Sequence, residues 1–89
     1  MTETRDTIIE FPCEFPVKVM GRAEPDFVLR VAGIVREHVP ELRDADIDTA
    51  ASRRGNYVSV TVTFTARSQH QLDQVYRALN ADEQVLMTL

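Results

Sequence analysis

Residues 57–65, with the sequence YVSVTVTFT, constrain the fold more than any other stretch of this chain. Apolar side chains occupy every second position, at Val58, Val60, Val62 and Phe64. Tyr57 and a run of serine and threonine occupy the positions between them. Because successive side chains of a β-strand point to opposite faces, this alternation predicts a strand with one dry face and one hydroxyl-rich face. The sheet around it is therefore expected to be covered on one side and open to water on the other.

Weaker strand patterns flank this segment. Residues 52–56 predict a hairpin turn, because the Gly55-Asn56 pair can adopt the positive φ that a tight turn requires. Residues 47–51 alternate weakly and predict a strand before that turn. Val85, Met87 and Leu89 alternate at the other end of the chain and predict a last strand.

The first strand is predicted around residues 15–20, where Phe15, Val17 and Val19 alternate with other side chains and Gly21 ends the pattern. Pro12 and Pro16 favour an extended arm or an edge position for residues 8–16 over a central strand. Residues 1–7 are polar and without period, which predicts a flexible N-terminus.

Two helices are predicted between the strands. The first begins with Glu24 as the N-cap and Pro25 at the first helical position, and Pro40 ends it. Its inner face is formed by Phe27, Val31, Ile34, Val35 and His38. The second begins at the Ser68/Gln71 capping box, with Asn80 as a left-handed terminator. Its inner face is formed by Leu72, Val75, Tyr76 and Leu79.

The element order is strand, helix, strand, strand, helix, strand. With right-handed crossovers it predicts an α+β fold, a ferredoxin-like βαββαβ sandwich with a four-stranded antiparallel sheet and both helices on one face. The helices are expected to cover Val17, Val19, Val58, Val60, Val62, Phe64, Val85 and Met87. A chain of 89 residues has room for one such core, so residues 8–89 are predicted to form a single domain.

Composition narrows the possible partners. The net charge of −4 argues against a general attraction to nucleic acid or to an anionic membrane. A single cysteine, Cys13, excludes an internal disulfide framework and suits a reducing compartment. No apolar run approaches the length of a membrane span, so a cytoplasmic location is expected.

Four short segments resemble the YbeD-like family of small bacterial cytoplasmic proteins. They are EFP at 10–12, FPVKVMG at 15–21, GNY at 55–57 and VLMTL at 85–89, and the resemblance covers nearly the whole chain from Ile8. This family is similar in fold to ACT regulatory domains, which often pair and bind amino acids or other small metabolites near the loop after their first strand. The resemblance implies an ACT-like fold and a homodimer, without catalytic residues or a cofactor. Cys13 departs from the family pattern and is assigned no role.

The loop after the first strand is the one place with a coherent argument for a binding site. Gly21 permits a close backbone approach, and Arg22 can offer a bidentate contact to an anion at the start of the following helix. Pro25 removes one amide donor there, however, and the acids on either side of it repel an anion. Together with the hairpin turn, the tentative residues that bind a ligand or a partner are Met20, Gly21, Arg22, Asn56 and Tyr57.

No other residues suggest chemistry. His38 and His70 lack companions at metal-ligand spacing, and the acids of residues 41–48 match no calcium loop, so no metal site is predicted. Cys13 beside Glu14 is expected to be an inert thiol. No pairing of a nucleophile with a base is found, so no catalytic residue is assigned.

The sequence therefore predicts a small non-enzymatic regulatory or protein-interaction module. The alternative is an ACT-like domain that senses an amino acid or short acid. RNA binding is disfavoured because the open face offers one aromatic side chain, Tyr57, where base stacking needs several. An acyl-phosphatase-like enzyme is disfavoured because its phosphate loop needs more glycines than the one next to Arg22.

Overall fold

A computed structural model of the 89-residue chain describes residues 10–89. The predicted flexible segment 1–7 lies outside the described residues, as do the first two residues of the predicted domain 8–89. The strands are β1 (Cys13–Arg22), β2 (Ile47–Ala51), β3 (Tyr57–Ala66) and β4 (Val85–Thr88). The helices are α1 (Phe27–Arg36) and α2 (Gln69–Asn80), and a short 3-10 turn spans Asp44–Asp46.

The four strands form one antiparallel sheet in the order β2-β3-β1-β4. Both helices pack on the same face of this sheet, and each contributes side chains to one hydrophobic core. This order of elements and strands confirms the ferredoxin-like α+β sandwich that the sequence predicts. Within residues 10–89, no helix has the length and apolar character needed to cross a bilayer.

The core is the layer between helices and sheet that the alternation of residues 57–65 predicts. Val17, Val19, Val60 and Val62 are fully buried beneath the helices. The other buried apolar side chains are Phe27, Val31, Ala32, Val35, Val39, Leu42, Phe64, Ala66, Leu72, Val75 and Leu79. At roughly 1.5–3 kcal/mol for each large apolar side chain that is fully buried, this cluster is the main driving force for folding.

The first strand is longer and more central than its prolines suggest. β1 lies between β3 and β4, and it includes residues 13–16, which the sequence assigned to an arm or an edge. The reason is the direction of the backbone groups. Lys18 exchanges hydrogen bonds with Leu89, so the even positions of β1 face the β4 side. No β4 residue lies alongside Pro16, and its missing N–H therefore leaves no ladder bond unmade.

The helix ends differ in detail from the prediction. The N-cap of α1 is Asp26 and not Glu24, because residues 24–27 first form a turn in which the Phe27 N–H donates to the Glu24 carbonyl oxygen at 3.1 Å. Asn80 is the last residue of α2 and is not left-handed, since no residue other than glycine has positive φ among residues 10–89. Gly55 has the positive φ, 76°, that the hairpin prediction requires.

The predicted burial of Met87 is wrong. β4 pairs Gly21 with Val85 but Met20 with Met87, so Leu86 is an extra residue in the ladder, a β-bulge. The bulge breaks the two-residue alternation between Val85 and Met87. Val85 stays on the face that the helices cover, whereas Met87 lies on the open face with half of its surface exposed (50%).

Candidate functional site

The structure brings four of the five predicted site residues to one end of the open face. Arg22 and Tyr57 are directly opposite each other in the pairing of β1 with β3, and Met20 lies two residues from Arg22 on the same face. The Asn56 carbonyl oxygen accepts a hydrogen bond from the Ala23 N–H at 3.0 Å, which ties the hairpin turn to the loop after β1. The fifth residue, Gly21, lies on the opposite, helix-covered face.

Gly21 is a glycine because the protein itself fills the space next to it. A Cβ atom there would lie 2.7 Å from the Gln84 carbonyl oxygen and closer still to the ring of Phe27. Gly21 is buried, and Phe27 is 99% buried against it. The sequence suggested that a ligand approaches the backbone closely at Gly21. Phe27, the first residue of α1, makes that approach instead, and no cavity remains at Gly21.

A small depression does lie beside this loop. Its volume is about 170 Å³, and its lining is formed by Arg22, Glu24, Glu83, Gln84 and Leu86. Ligand pockets usually measure about 300–1,000 Å³. Two glutamates stand against one arginine, and the Gln84 side-chain oxygen is buried without a hydrogen-bond partner among the described residues. These carboxylate and amide oxygens disfavour the binding of an anion, which Arg22 and the start of α1 suggested.

Two hydrogen bonds to Asp82 hold the loop between α2 and β4 next to this depression. The Asp82 carboxylate accepts from the Gln84 N–H at 2.9 Å and from Arg30 Nε at 2.7 Å. Partial burial opposes ionisation of Asp82, but these two donors together hold the pKa of this carboxyl below its usual range. The pair Arg30–Asp82 thus joins α1 to the segment that leads into β4.

This end of the open face is apolar, a feature that the sequence pattern does not predict. Met87 lies opposite Met20 across β1 and β4, and Leu89 lies opposite Lys18 in the same register. Tyr57 is a diagonal neighbour of Met20, close enough for contact between side chains of this size. We call Met20, Tyr57, Met87 and Leu89 the open-face patch. The exposed fractions of Tyr57, Met87 and Leu89 are 41%, 50% and 61%.

The rim of the open-face patch is polar and partly basic. Lys18 and Arg22 are both exposed and alternate with Met20 along β1. Ser59, Thr61 and Thr63 continue the face along β3 as the predicted strip of hydroxyls. An apolar centre with a polar rim is the usual anatomy of a protein–protein interface, in which Met, Tyr and Arg are enriched. The patch can be recognised only from the bulge in β4. The alternating apolar side chains of residues 85–89 give no indication of that bulge.

Among residues 10–89, the remaining side chains that could carry chemistry do not form a site. Glu41, Asp44 and Asp46 each lie 2.9 Å from a different arginine, which accounts for the acidic loop as a set of ion pairs. Arg43 lowers the pKa of Asp46 by hydrogen bonding to it. Within residues 10–89, no three His, Cys, Asp or Glu side chains cluster at metal-binding distance. Cys13 is half-buried at the start of β1, packed against the core.

Comparison with known proteins gives consistent matches over the full length of the chain. Residues 6–89 match the family described as "Protein of unknown function (DUF493)". A UPF0250 protein of Nitrosomonas europaea is 40% identical over 86 residues, 97% of this chain and 99% of its own. A UPF0250 protein of Neisseria gonorrhoeae is 44% identical over 87 residues, 98% of this chain and 96% of its own.

A solved structure matches the fold as well. The solution structure of protein HP0495 from H. pylori aligns with a TM-score of 0.69, covering 92% of this chain and 86% of that one. The sequence identity is 13%, so this likeness concerns the fold alone. It supports the ferredoxin-like fold described above.

Proposed function

This chain belongs to the DUF493 family, whose UPF0250 members are the YbeD-like proteins that the sequence resembles, and from this premise we propose that it is a non-enzymatic module that docks a partner protein on the open-face patch. The observation that carries the proposal is the bulge in β4, which turns Met87 from the core to the open face beside Met20. In a ladder without this bulge, strict alternation from Val85 would place Met87 under the helices.

The chemistry of the patch indicates the kind of partner. Methionine side chains are flexible and polarisable, so Met20 and Met87 can adapt to an irregular apolar surface. Tyr57 adds an amphipathic ring of the type that often anchors interfaces. Lys18 and Arg22 border the patch, so the partner segment is expected to carry apolar side chains flanked by carboxylates.

The metabolite-sensing alternative has less support. The space at Gly21 is filled by the Phe27 ring, and the neighbouring depression of about 170 Å³ is small for an amino acid with its two charged groups. An amino-acid or short-acid panel is therefore expected to leave the amide signals of residues 20–26 unchanged. Saturable shifts confined to those residues would support sensing and contradict the docking proposal.

A site-specific photo-crosslinker tests the proposal in living cells of the source bacterium. Placed at Met87, it is expected to yield one discrete crosslinked protein, and the additional substitution Met20→Asp is expected to abolish that product. The matched control places the same crosslinker at Arg77, an exposed residue on α2. The proposal fails if Met87 and Arg77 give the same products, or if the Met87 product is insensitive to Met20→Asp.

A further inference from the structure

We propose that the partner segment docked on the open-face patch is acidic at one end, and that its carboxylates bind a cluster of cations beside the hairpin turn of residues 52–56. This inference rests on the proposed function and deepens it, because it states the charge of the partner and the direction in which the partner lies. The cluster, which we call the cationic end, consists of Lys18, Arg22, Arg53 and Arg54.

Ion pairs divide the basic side chains of this protein into two groups. The paired group, in which each guanidinium lies 2.7–2.9 Å from a carboxylate oxygen, consists of Arg30, Arg36, Arg43 and Arg67. These arginines belong to α1 and to the loops before β2 and after β3. No member of the cationic end makes an ion pair with another of residues 10–89. Its positive charge is therefore available to a second molecule.

The ladder and the hairpin turn bring the four cations to one end of the open face. Arg22 lies opposite Tyr57, the first residue of β3, and Lys18 lies on the same face four residues earlier in β1. Arg53 and Arg54 belong to the turn that precedes Tyr57. All four basic residues are exposed. The cationic end thus borders the open-face patch, of which Tyr57 is a member.

Hydrogen bonds within the turn fix the place of its two arginines. The Gly55 N–H donates to the Ser52 carbonyl oxygen at 2.9 Å, which closes a four-residue turn with Arg53 and Arg54 at its two central positions. The Tyr57 N–H donates to the Ser52 hydroxyl at 3.1 Å. These bonds use backbone groups and one hydroxyl, so both guanidinium groups stay available beside Tyr57 for a ligand.

A shallow depression connects the open-face patch with the cationic end. Its volume is about 100 Å³, and its lining includes Met20 and Tyr57 of the patch, Lys18 of the cationic end and Ser52 of the turn. Ala50, a small side chain of β2, also borders this space. A partner side chain placed here contacts the patch on one side and the hairpin turn on the other. One continuous segment can therefore make both the apolar and the charged contacts.

The acids around the open face leave the positive charge concentrated at the turn. Asp48 lies on this face in the row of Lys18, and Glu14 lies near the far end of β1. Glu24 and Glu83 belong to the depression after β1. Among residues 10–89, no acid lies on the face between the row of Lys18 and the turn. The carboxylates of the partner are therefore expected over the turn, with its apolar side chains toward β4.

Cations of this kind also attract nucleic acid, and the rest of the face favours a protein segment. Base stacking needs several aromatic side chains, whereas the patch offers Tyr57 alone. Met20, Met87 and Leu89 form an apolar surface that a phosphate backbone does not use. The net charge of −4 disfavours a long polyanion, but a short acidic segment responds to charges within about 8 Å, the screening length at physiological salt.

Charge reversal at the turn tests the inference in cells that carry the photo-crosslinker at Met87. Arg53→Glu combined with Arg54→Glu is expected to lower the yield of the crosslinked partner by at least roughly tenfold. The matched control is Arg77→Glu, at an exposed residue of α2 that also lacks an ion pair within residues 10–89, and it should leave the yield unchanged. An undiminished yield in the double variant would overturn the inference.

A second crosslinker position identifies what the cations contact. Placed at Arg54, the crosslinker is expected to capture the same partner as at Met87. Digestion and mass spectrometry should locate the Arg54 contact in a segment rich in Asp and Glu, next to an apolar segment captured from Met87. A captured segment without acidic residues would overturn the inference, and so would a product that is destroyed by nuclease.

A synthetic copy of the captured segment then measures the electrostatic contribution with purified protein. Its association rate constant, from stopped-flow fluorescence, is expected to fall at least roughly tenfold from low to high salt. The matched copy, with Gln for every Glu and Asn for every Asp, should show little dependence on salt. Equal salt dependence of the two peptides would contradict the role of the cations.

The two proposals can fail separately. A Met87 product that is abolished by Met20→Asp but insensitive to the double substitution at Arg53 and Arg54 would contradict the acidic partner alone. Identical products from crosslinkers at Met87 and Arg77 would contradict docking on the open-face patch itself.

Discussion

Met20 of β1 and Met87 of β4 lie directly opposite each other on the open face of the sheet, one residue from the bulge at Leu86. Val19 and Gly21, the neighbours of Met20 along β1, face the helices and are buried. A single extra residue in β4 thus decides whether a methionine belongs to the core or to the surface, and this difference is measurable as stability.

Substitution of Met87 by glutamate tests that placement. Because the side chain is half exposed, Met87→Glu is expected to change the free energy of unfolding by less than about 0.5 kcal/mol. Val60→Asp places a charge at a fully buried position and is expected to abolish folding. Urea unfolding measures both. A loss of about 2 kcal/mol or more in Met87→Glu would indicate a core position instead.

The same substitution at two glycines is expected to have opposite effects. Gly21→Ala forces a methyl group against the Phe27 ring and the Gln84 carbonyl oxygen, which should destabilise the fold by about 1–3 kcal/mol. Gly33→Ala meets no atom within 4 Å in the exposed middle of α1, and it should stabilise by about 0.5–1 kcal/mol. Thermal unfolding of both variants decides the matter. A neutral Gly21→Ala would mean that the loop has room for a ligand after all.

The Asp82 carboxylate is expected to make part of the stability depend on pH. Its pKa is lowered in the folded protein, whereas the unfolded chain has an ordinary value of about 3.9. Its stabilisation is therefore present above about pH 4 and is lost as the pH falls through the lower, folded pKa. Asp82→Asn should lower Tm at pH 7 and have a smaller effect as the pH is lowered toward 2, whereas Glu83→Gln, at an exposed neighbour, should change Tm little at either pH. An equal effect of Asp82→Asn at both pH values would contradict the ionic contribution.

Gln71 is expected to matter more than its position near a helix end suggests. Its side-chain oxygen accepts from the Arg67 N–H at 2.7 Å, and its side-chain nitrogen donates to the His38 carbonyl oxygen at 3.0 Å. Gln71→Ala should cost about 1 kcal/mol, since it removes two hydrogen bonds to backbone groups, of which the one to the His38 carbonyl oxygen is partly buried. Gln74→Ala, on the same helix, is the control and should be near neutral in chemical denaturation. Equal losses of unfolding free energy in the two variants would show that the change in helix propensity, and not the two hydrogen bonds of Gln71, causes the effect.

Most of the fold could be predicted because its signals are local. The alternation at Val58, Val60, Val62 and Phe64 is a property of nine consecutive residues, and it identifies the strand, its two faces and the core. The capping pattern at Ser68 is equally local, and the Ser68 hydroxyl does accept from the Gln71 N–H at 3.1 Å. Gln71 itself departs from the standard box, since it bonds to the N–H of Arg67 and not to that of Ser68.

The errors arose where a position depends on distant parts of the chain. Pro16 is tolerated in an interior strand only because of where β4 lies beside β1, some seventy residues later in the sequence. Met87 changes faces because one residue is left over in a ladder, and nothing in the letters VLMTL marks which one. At Gly21 the sequence indicated a close approach correctly. Whether a ligand or Phe27 makes that approach depends on how α1 packs.

The amide of Gln71 also has a consequence for motion. Its hydrogen bond to the His38 carbonyl oxygen joins the start of α2 to the segment just after α1, thirty-three positions earlier in the sequence. Opening either region requires that hydrogen bond to break as well. The backbone amides of the two regions should therefore exchange with deuterium as one cooperative unit, whereas the far ends of the same helices fray independently.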